Sequence, residues 1–183
     1  LKSVLRGAAN GLIIGFSIRG GSTMRIAIIS DTHSRTTSVQ NALRIMSERE
    51  VELIIHCGDI QDGDTVRLFP AHTHFVFGNC DYDRADIERA VSNICATLHG
   101  AWGQLELAGQ SLAFTHGDDR HLLESLELAD TFDFLFHGHT HVAREHRAGK
   151  TRVINPGALQ RVAVRTFLLL DLPSGETESV TVS

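Results

Sequence analysis

Five segments of the chain carry residues able to hold cations: Asp31-Thr32-His33, Gly58-Asp59, Gly78-Asn79, His116-Gly117 and Gly138-His139-Thr140-His141. Each stands at or just past the end of a short apolar run. Between them they offer Asp31, Asp59, Asn79, His33, His116, His139 and His141: two carboxylates, one amide oxygen and four imidazoles. That set is too large for one ordinary ion and suits two. A pair of divalent cations makes a hydroxide nucleophile available at neutral pH and clamps a phosphoryl group during in-line displacement. The chemistry these residue types support is metal-assisted hydrolysis of a phosphate ester.

Spacing strengthens the reading. In an extended segment residues i and i+2 face the same side, so Asp31 and His33 can grip one ion, and His139 and His141 repeat that geometry. Gly58 and Gly78 remove side-chain bulk beside Asp59 and Asn79, letting backbone and metal approach closely. Asp59 is the best candidate to bridge two ions, because a carboxylate has two oxygens and charge to offset both. Taken singly the segments say little: Asp-x-His arises by chance, and Gly-Asp is commonest as a turn. Their force lies in the order, each after a buried strand.

The elements needed to position them are legible from Met24 onward. Ile26–Ile29, Leu53–Ile55 and Phe75–Phe77 read as strands buried on both faces, and 37–49, 65–69 and 84–91 as the helices between them. A β-α-β-α-β-α half predicts a mainly parallel sheet, whose ligands collect beyond the carboxyl ends of its strands. After residue 96 the texture turns β-rich. A hairpin forms from 102–107 and 111–115, a helix from 121–129, a buried strand from 134–136, and strands from 142–146, 152–154, 162–171 and 179–182. Two packed sheets with helices outside are expected, in one domain spanning 24–183.

At 183 residues, 42% hydrophobic and 21% charged, the chain can bury a core unaided. A net charge of -5 argues against an extended nucleic-acid surface. Three cysteines without paired spacing suggest a reducing, cytoplasmic setting and no disulfide framework. No apolar stretch is long enough for a membrane span. Residues 1–23 read as an extension or flexible leader outside the fold, since the first strand begins at Met24 and Gly breaks the weakly apolar segment 11–16.

The set of segments resembles the calcineurin-like metallophosphoesterases, whose pattern is D-x-H, G-D-x-x-D, G-N-(H/C)-(D/E), an isolated His and G-H-x-H. Here these are Asp31-Thr32-His33, Gly58-Asp59-Ile60-Gln61-Asp62, Gly78-Asn79-Cys80-Asp81, His116 and Gly138-His139-Thr140-His141. Asn155-Pro156-Gly157-Ala158 is similar to the Asn-Pro-Gly-Ser turn of the small bacterial and archaeal phosphodiesterase branch. The resemblance implies an α/β fold, a four-layer α/β/β/α sandwich of two mixed sheets. It implies one metal held by Asp31, His33, Asp59 and His141, and another held by Asp59, Asn79, His116 and His139. A metal-bound hydroxide, its pKa lowered from 15.7 in bulk water to about 7, would attack in line between ions about 3.5–4 Å apart. Oxygen and imidazole donors suit Mn²⁺ first, with Fe, Zn²⁺ or Ni²⁺ also accepted. A homodimer is expected by family likeness alone.

Two features depart from the larger relatives. Cys80 stands where they use a histidine as general acid, and a thiol is a poor substitute, so activated aryl esters and diesters should react more easily. Phe77 stands where relatives often carry a phosphate-binding Arg. Arg35 and Arg120 are the nearest candidates for that task, and Asp62 and Asp81 for orienting the ligands. Asp118 or Asp119 reads as a helix cap. The competing reading is a non-catalytic scaffold of the same fold, as in the retromer subunit, which loss of ligands would favour; here all seven are present.

Overall fold

The computed structural model describes residues 23–183. The expected extension, residues 1–22 of it, lies outside the described residues. The first strand, β1 (Met24–Ile29), alternates its burial between two interiors: Ile26 and Ile28 face one apolar cluster, Ala27 and Ile29 another. A strand with apolar residues on both faces must be sandwiched between layers. It pairs in parallel with β2 (Leu53–His56), which pairs with β3 (Thr73–Phe75), which pairs with β4 (Thr97–Leu98). On the other side β10 (Arg165–Leu172) and β11 (Glu176–Val182) add antiparallel, giving the order β11-β10-β1-β2-β3-β4.

The second sheet has the order β5-β6-β7-β9-β8, built from β5 (Trp102–Leu107), β6 (Gln110–Thr115), β7 (Phe134–Phe136), β8 (Arg144–Ala148) and β9 (Thr151–Asn155). β6, β7 and β9 run parallel, while β5 and β8 add antiparallel at the edges. Both sheets are therefore mixed.

Three apolar clusters mark the contacts between layers. Ile26, Ile28, Leu53 and Ile55 meet Leu112, Phe114, Phe134 and Phe136 between the sheets. Ala27, Ile29, Ile54 and Phe75 meet α1 (Thr36–Glu48), α2 (Gly63–Val66) and α3 (Arg84–Asn93) through Val39, Ala42, Met46, Val66, Ile87 and Ala90. Ala113, Leu135 and Val153 meet Leu122, Leu123 and Leu126 of α4 (Arg120–Leu128). Helix, sheet, sheet, helix: the architecture is the four-layer α/β/β/α sandwich.

The local differences from expectation have physical causes. β4 is a two-residue strand with no apolar run to announce it. The third strand closes at Phe75 because Phe77 N turns to the carbonyl of Gly100, although Val76 N still bonds to His56 O. The short helix starts at Gly63 rather than Thr65, because Asp62 caps it by accepting from Thr65 N at 2.7 Å. Asp119 likewise caps α4, accepting from Leu122 N.

Candidate metal centre

All seven candidate donors lie at one rim, where the carboxyl ends of β1, β2, β3, β6 and β7 converge. The loops that carry them are tied to each other by backbone bonds. Asp31 N donates to Gly58 O at 3.1 Å, and His33 N to Asp59 O at 3.0 Å. In the second sheet Gly138 N donates to His116 O at 2.9 Å. Two bonds then join the sheets: His139 N to Asp31 Oδ2 at 3.1 Å, and His116 Nδ1 to the Cys57 carbonyl at 2.8 Å. The second fixes the imidazole so that its Nε2 lone pair faces the site.

Glycine is required where these loops meet. A Cβ on Gly78 would lie 2.2 Å from Asp59 Oδ1, and one on Gly138 would lie 2.6 Å from Asp31 Oδ2. The expectation that glycines permit close approach thus has a definite target at each position.

The donors fall into two groups that share Asp59. In the first, His33 Nε2 and His141 Nε2 stand 3.3 Å apart, and Asp31 Oδ1 lies 3.1 Å from His141 Nε2. Asp31 Oδ1 is buried and has no hydrogen-bond partner of good geometry, and neither has His33 Nδ1. In the second, Asn79 Oδ1 lies 3.1 Å from His116 Nε2 and 3.0 Å from His139 Nδ1. Asp59 turns one oxygen to each group: Oδ2 is 3.6 Å from His33 Nε2, and Oδ1 is 3.4 Å from His116 Nε2.

Electrostatics point the same way. Burial works against charge on His116, but its contacts with Asp59 and the charge of Asp31 raise it to about 9. Burial alone would lift the Asp59 carboxyl; His116 and the Cys80 amide outweigh it and hold Asp59 well below the usual carboxylate range. Positive charge is thus stabilised at the spot where imidazole and carboxylate meet, which is what a cation would supply. Converging lone pairs, an orphaned buried carboxylate oxygen and a bridging carboxylate all fit divalent metal ions. Three sets of donors lie close enough to share an ion: Asp31-His33-His141, His33-Asp59-Cys80 and Asp31-Asp59-His116.

The supporting residues sort clearly. Asp81 is buried and accepts from Gly78 N at 2.7 Å, Asp59 N at 3.2 Å and Gln61 N at 2.6 Å, fixing the loop under Asp59. Asp62 caps α2 and accepts from Ser34 Oγ, so its work is on the loops and not on a cation. Asn155 donates to Gly138 O at 2.7 Å and accepts from Gly157 N, bracing the loop that carries His139 and His141. His56 is fully buried and joins Gly58 N to the Thr32 hydroxyl, a structural part.

Arg35 is exposed, with Nε on Gln160 Oε1 at 3.2 Å. Arg120 is exposed at the start of α4 and makes no hydrogen bond to the site among the described residues. Arg161 was not singled out by spacing; its charge acts on both His33 and Cys80.

The four-layer sandwich thus brings oxygen and imidazole donors together at one rim. The family model for the calcineurin-like phosphoesterase superfamily domain matches residues 24–175, and the chain belongs to that superfamily. A phosphodiesterase of Methanocaldococcus jannaschii is 28% identical over 138 residues, covering 73% of this chain and 83% of that protein. The structure of an archaeal phosphodiesterase superposes with a TM-score of 0.80 at 25% identity, over 87% of this chain and 100% of that one. Vacuolar protein sorting 29 from Cryptosporidium parvum shares the fold, with a TM-score of 0.62 at 16% identity over 88% and 97% of the two chains. Among the described residues no helix is long and apolar enough to cross a membrane.

Proposed function

We propose that the chain hydrolyses phosphate diesters or monoesters with two divalent cations, Mn²⁺ the first choice. Asp31, His33, His141 and Asp59 hold one ion; Asp59, Asn79, His116 and His139 hold the other. The observation that carries this reading is Asp59, whose two oxygens address separate donor groups. When bound, such a pair supplies Lewis acidity and a nucleophile at neutral pH. The chain's own residues set the rest. Asp59 fixes the separation of the two groups, the bond from His116 Nδ1 to Cys57 O keeps Nε2 aimed inward, and Asn79 presents a neutral oxygen that adds no repulsion toward an anionic substrate.

The leaving group meets Cys80. Burial and the neighbouring Asp59 push this thiol above its ordinary value, so it stays protonated at neutral pH and is a weak acid. Esters with activated aryl leaving groups should therefore outrun alkyl esters. Three free cysteines suit a cytoplasmic setting, which belongs to the same proposal. The scaffold reading rests on likeness of fold alone, and the completeness of the donor set weighs against it.

Turnover of bis(p-nitrophenyl) phosphate and p-nitrophenyl phosphate is the direct test. Mn²⁺-loaded protein should hydrolyse at least one, and chelated protein and Asp59→Asn neither, with the circular dichroism of the variant unchanged. Metal-loaded protein inert towards both esters would hand the lead to the scaffold reading.

A further inference from the structure

Two of the three close donor sets draw only on the seven candidate donors. The third, His33-Asp59-Cys80, brings in a sulfur, and its ligand atoms all lie within 4.8 Å of one another. The two-ion reading makes no use of that sulfur as a donor. Neither of the other cysteines, buried Cys57 and exposed Cys95, joins such a set among the described residues. Thiolate, imidazole and carboxylate together suit a soft divalent ion such as Zn²⁺ or Cd²⁺ better than Mn²⁺.

The three donors come from separate loops, after β1, β2 and β3, so their meeting is made by the fold and not by neighbouring sequence. Cys80 N donates to Asp59 Oδ1 at 2.8 Å, which seats residue 80 against the shared carboxylate. The other oxygen of that carboxylate, Oδ2, lies 3.6 Å from His33 Nε2. His33 is 6% exposed, and its Nδ1 is buried without a partner. The Asn79 side chain divides its polar atoms: Oδ1 faces His116 and His139, while Nδ2 donates to Cys80 Sγ at 3.5 Å. An N–H on sulfur favours the thiolate, the kind of support that metal ligands receive from their surroundings. The turn beneath is held by Asp81, which accepts from Gly78 N at 2.7 Å.

We propose that Cys80 Sγ, with His33 and Asp59, captures thiophilic divalent ions, and that this capture competes with the two-ion arrangement that serves hydrolysis. The S–H proton leaves to solvent as the sulfur–metal bond forms, and no electron changes hands. Mn²⁺, a harder ion, leaves the thiol protonated. His33 and Asp59 also belong to the closed half of the centre, so a soft ion drawn toward Cys80 takes donors from the ion held there. Soft ions should therefore bind tightly and inhibit. The inhibition rests on the hydrolase reading; the sulfur ligation does not.

The test loads the chelated full chain with Co²⁺, a spectroscopic stand-in for Zn²⁺. A thiolate-to-Co²⁺ charge-transfer band should appear in the near ultraviolet, vanish in Cys80→Ser and persist in Cys95→Ser. A second measurement needs no variant: alkylation by iodoacetamide, read by peptide mapping. Cd²⁺ should slow alkylation of Cys80 at least about 10-fold relative to Mn²⁺, while exposed Cys95 reacts equally with either ion. In the Mn²⁺-loaded enzyme, the Zn²⁺ concentration that halves turnover should rise about 10- to 100-fold in Cys80→Ser. No band in the unmutated chain, a band that survives Cys80→Ser, or Cys80 alkylated as fast with Cd²⁺ as with Mn²⁺ would overturn the proposal. Protein that shows the Cys80-dependent band yet hydrolyses neither ester would defeat the hydrolase reading and leave the ligation standing.

Discussion

The two halves of the donor cluster meet water differently. Around Asp31 and His33 the site is closed: both residues are buried, Asp59 is 2% exposed, and His141 is half-buried. Around Asn79 and His139 it is open, both being exposed, with His116 alone buried at the back. The closed half is fixed by strand ends and by paired loops, Asp31 N on Gly58 O and His33 N on Asp59 O. The open half borrows its order: His139 is held through its N–H on Asp31, and Asn79 through the Asp81-braced loop. On the proposed two-ion reading, the closed half would keep its ion and the open half would exchange one and admit substrate.

That asymmetry can be broken by mutation. The largest effect should come from Asp31→Ala. It removes a donor of the closed half and the acceptor that positions His139, so both ions should be lost on gel filtration and turnover fall to background. His139→Ala should strip the open half only, leaving a single ion bound; metal analysis of the two purified variants distinguishes them, and equal retention would erase the contrast. Asp81→Asn comes next. It keeps the shape but weakens the acceptor for three amides, and a loss of about 10- to 100-fold in kcat/KM is expected for such outer support.

The smallest effect concerns the closed interior rather than the donors. Burial pushes His56 down to about 3 and His74 down to about 4, the latter helped by its neighbour His99. Unfolded, each binds a proton below about pH 6.5, while the folded chain refuses it until far lower pH. The unfolded state therefore gains protons in that window, and stability falls as pH falls. At pH 5.5 the loss should be on the order of 1 kcal/mol for each, read as a lower melting temperature than at pH 7. Melting that is flat over this range would contradict their burial as neutral rings.

Much of the molecule was legible because burial writes itself into apolar runs. Ile26–Ile29 and Phe134–Phe136 could hardly be anything but doubly covered strands, and the helix spacing of Val39, Ala42 and Met46 announced its buried face. The candidate donors stood out because each follows such a strand, and the fold brings them to one rim. What escaped depends on tertiary context. β4 exists only because Thr97 and Leu98 lie beside β3. The task of Asp81 lies in amides from three separate residues.

The count of cations per folded chain, followed by metal titration of chelated protein, tests the shared role of Asp59 most directly. Two ions should bind in separable steps, the tighter in the closed half, and Asp59→Asn should weaken both. Binding of one ion, or of two that Asp59→Asn leaves untouched, would contradict a centre built around that carboxylate.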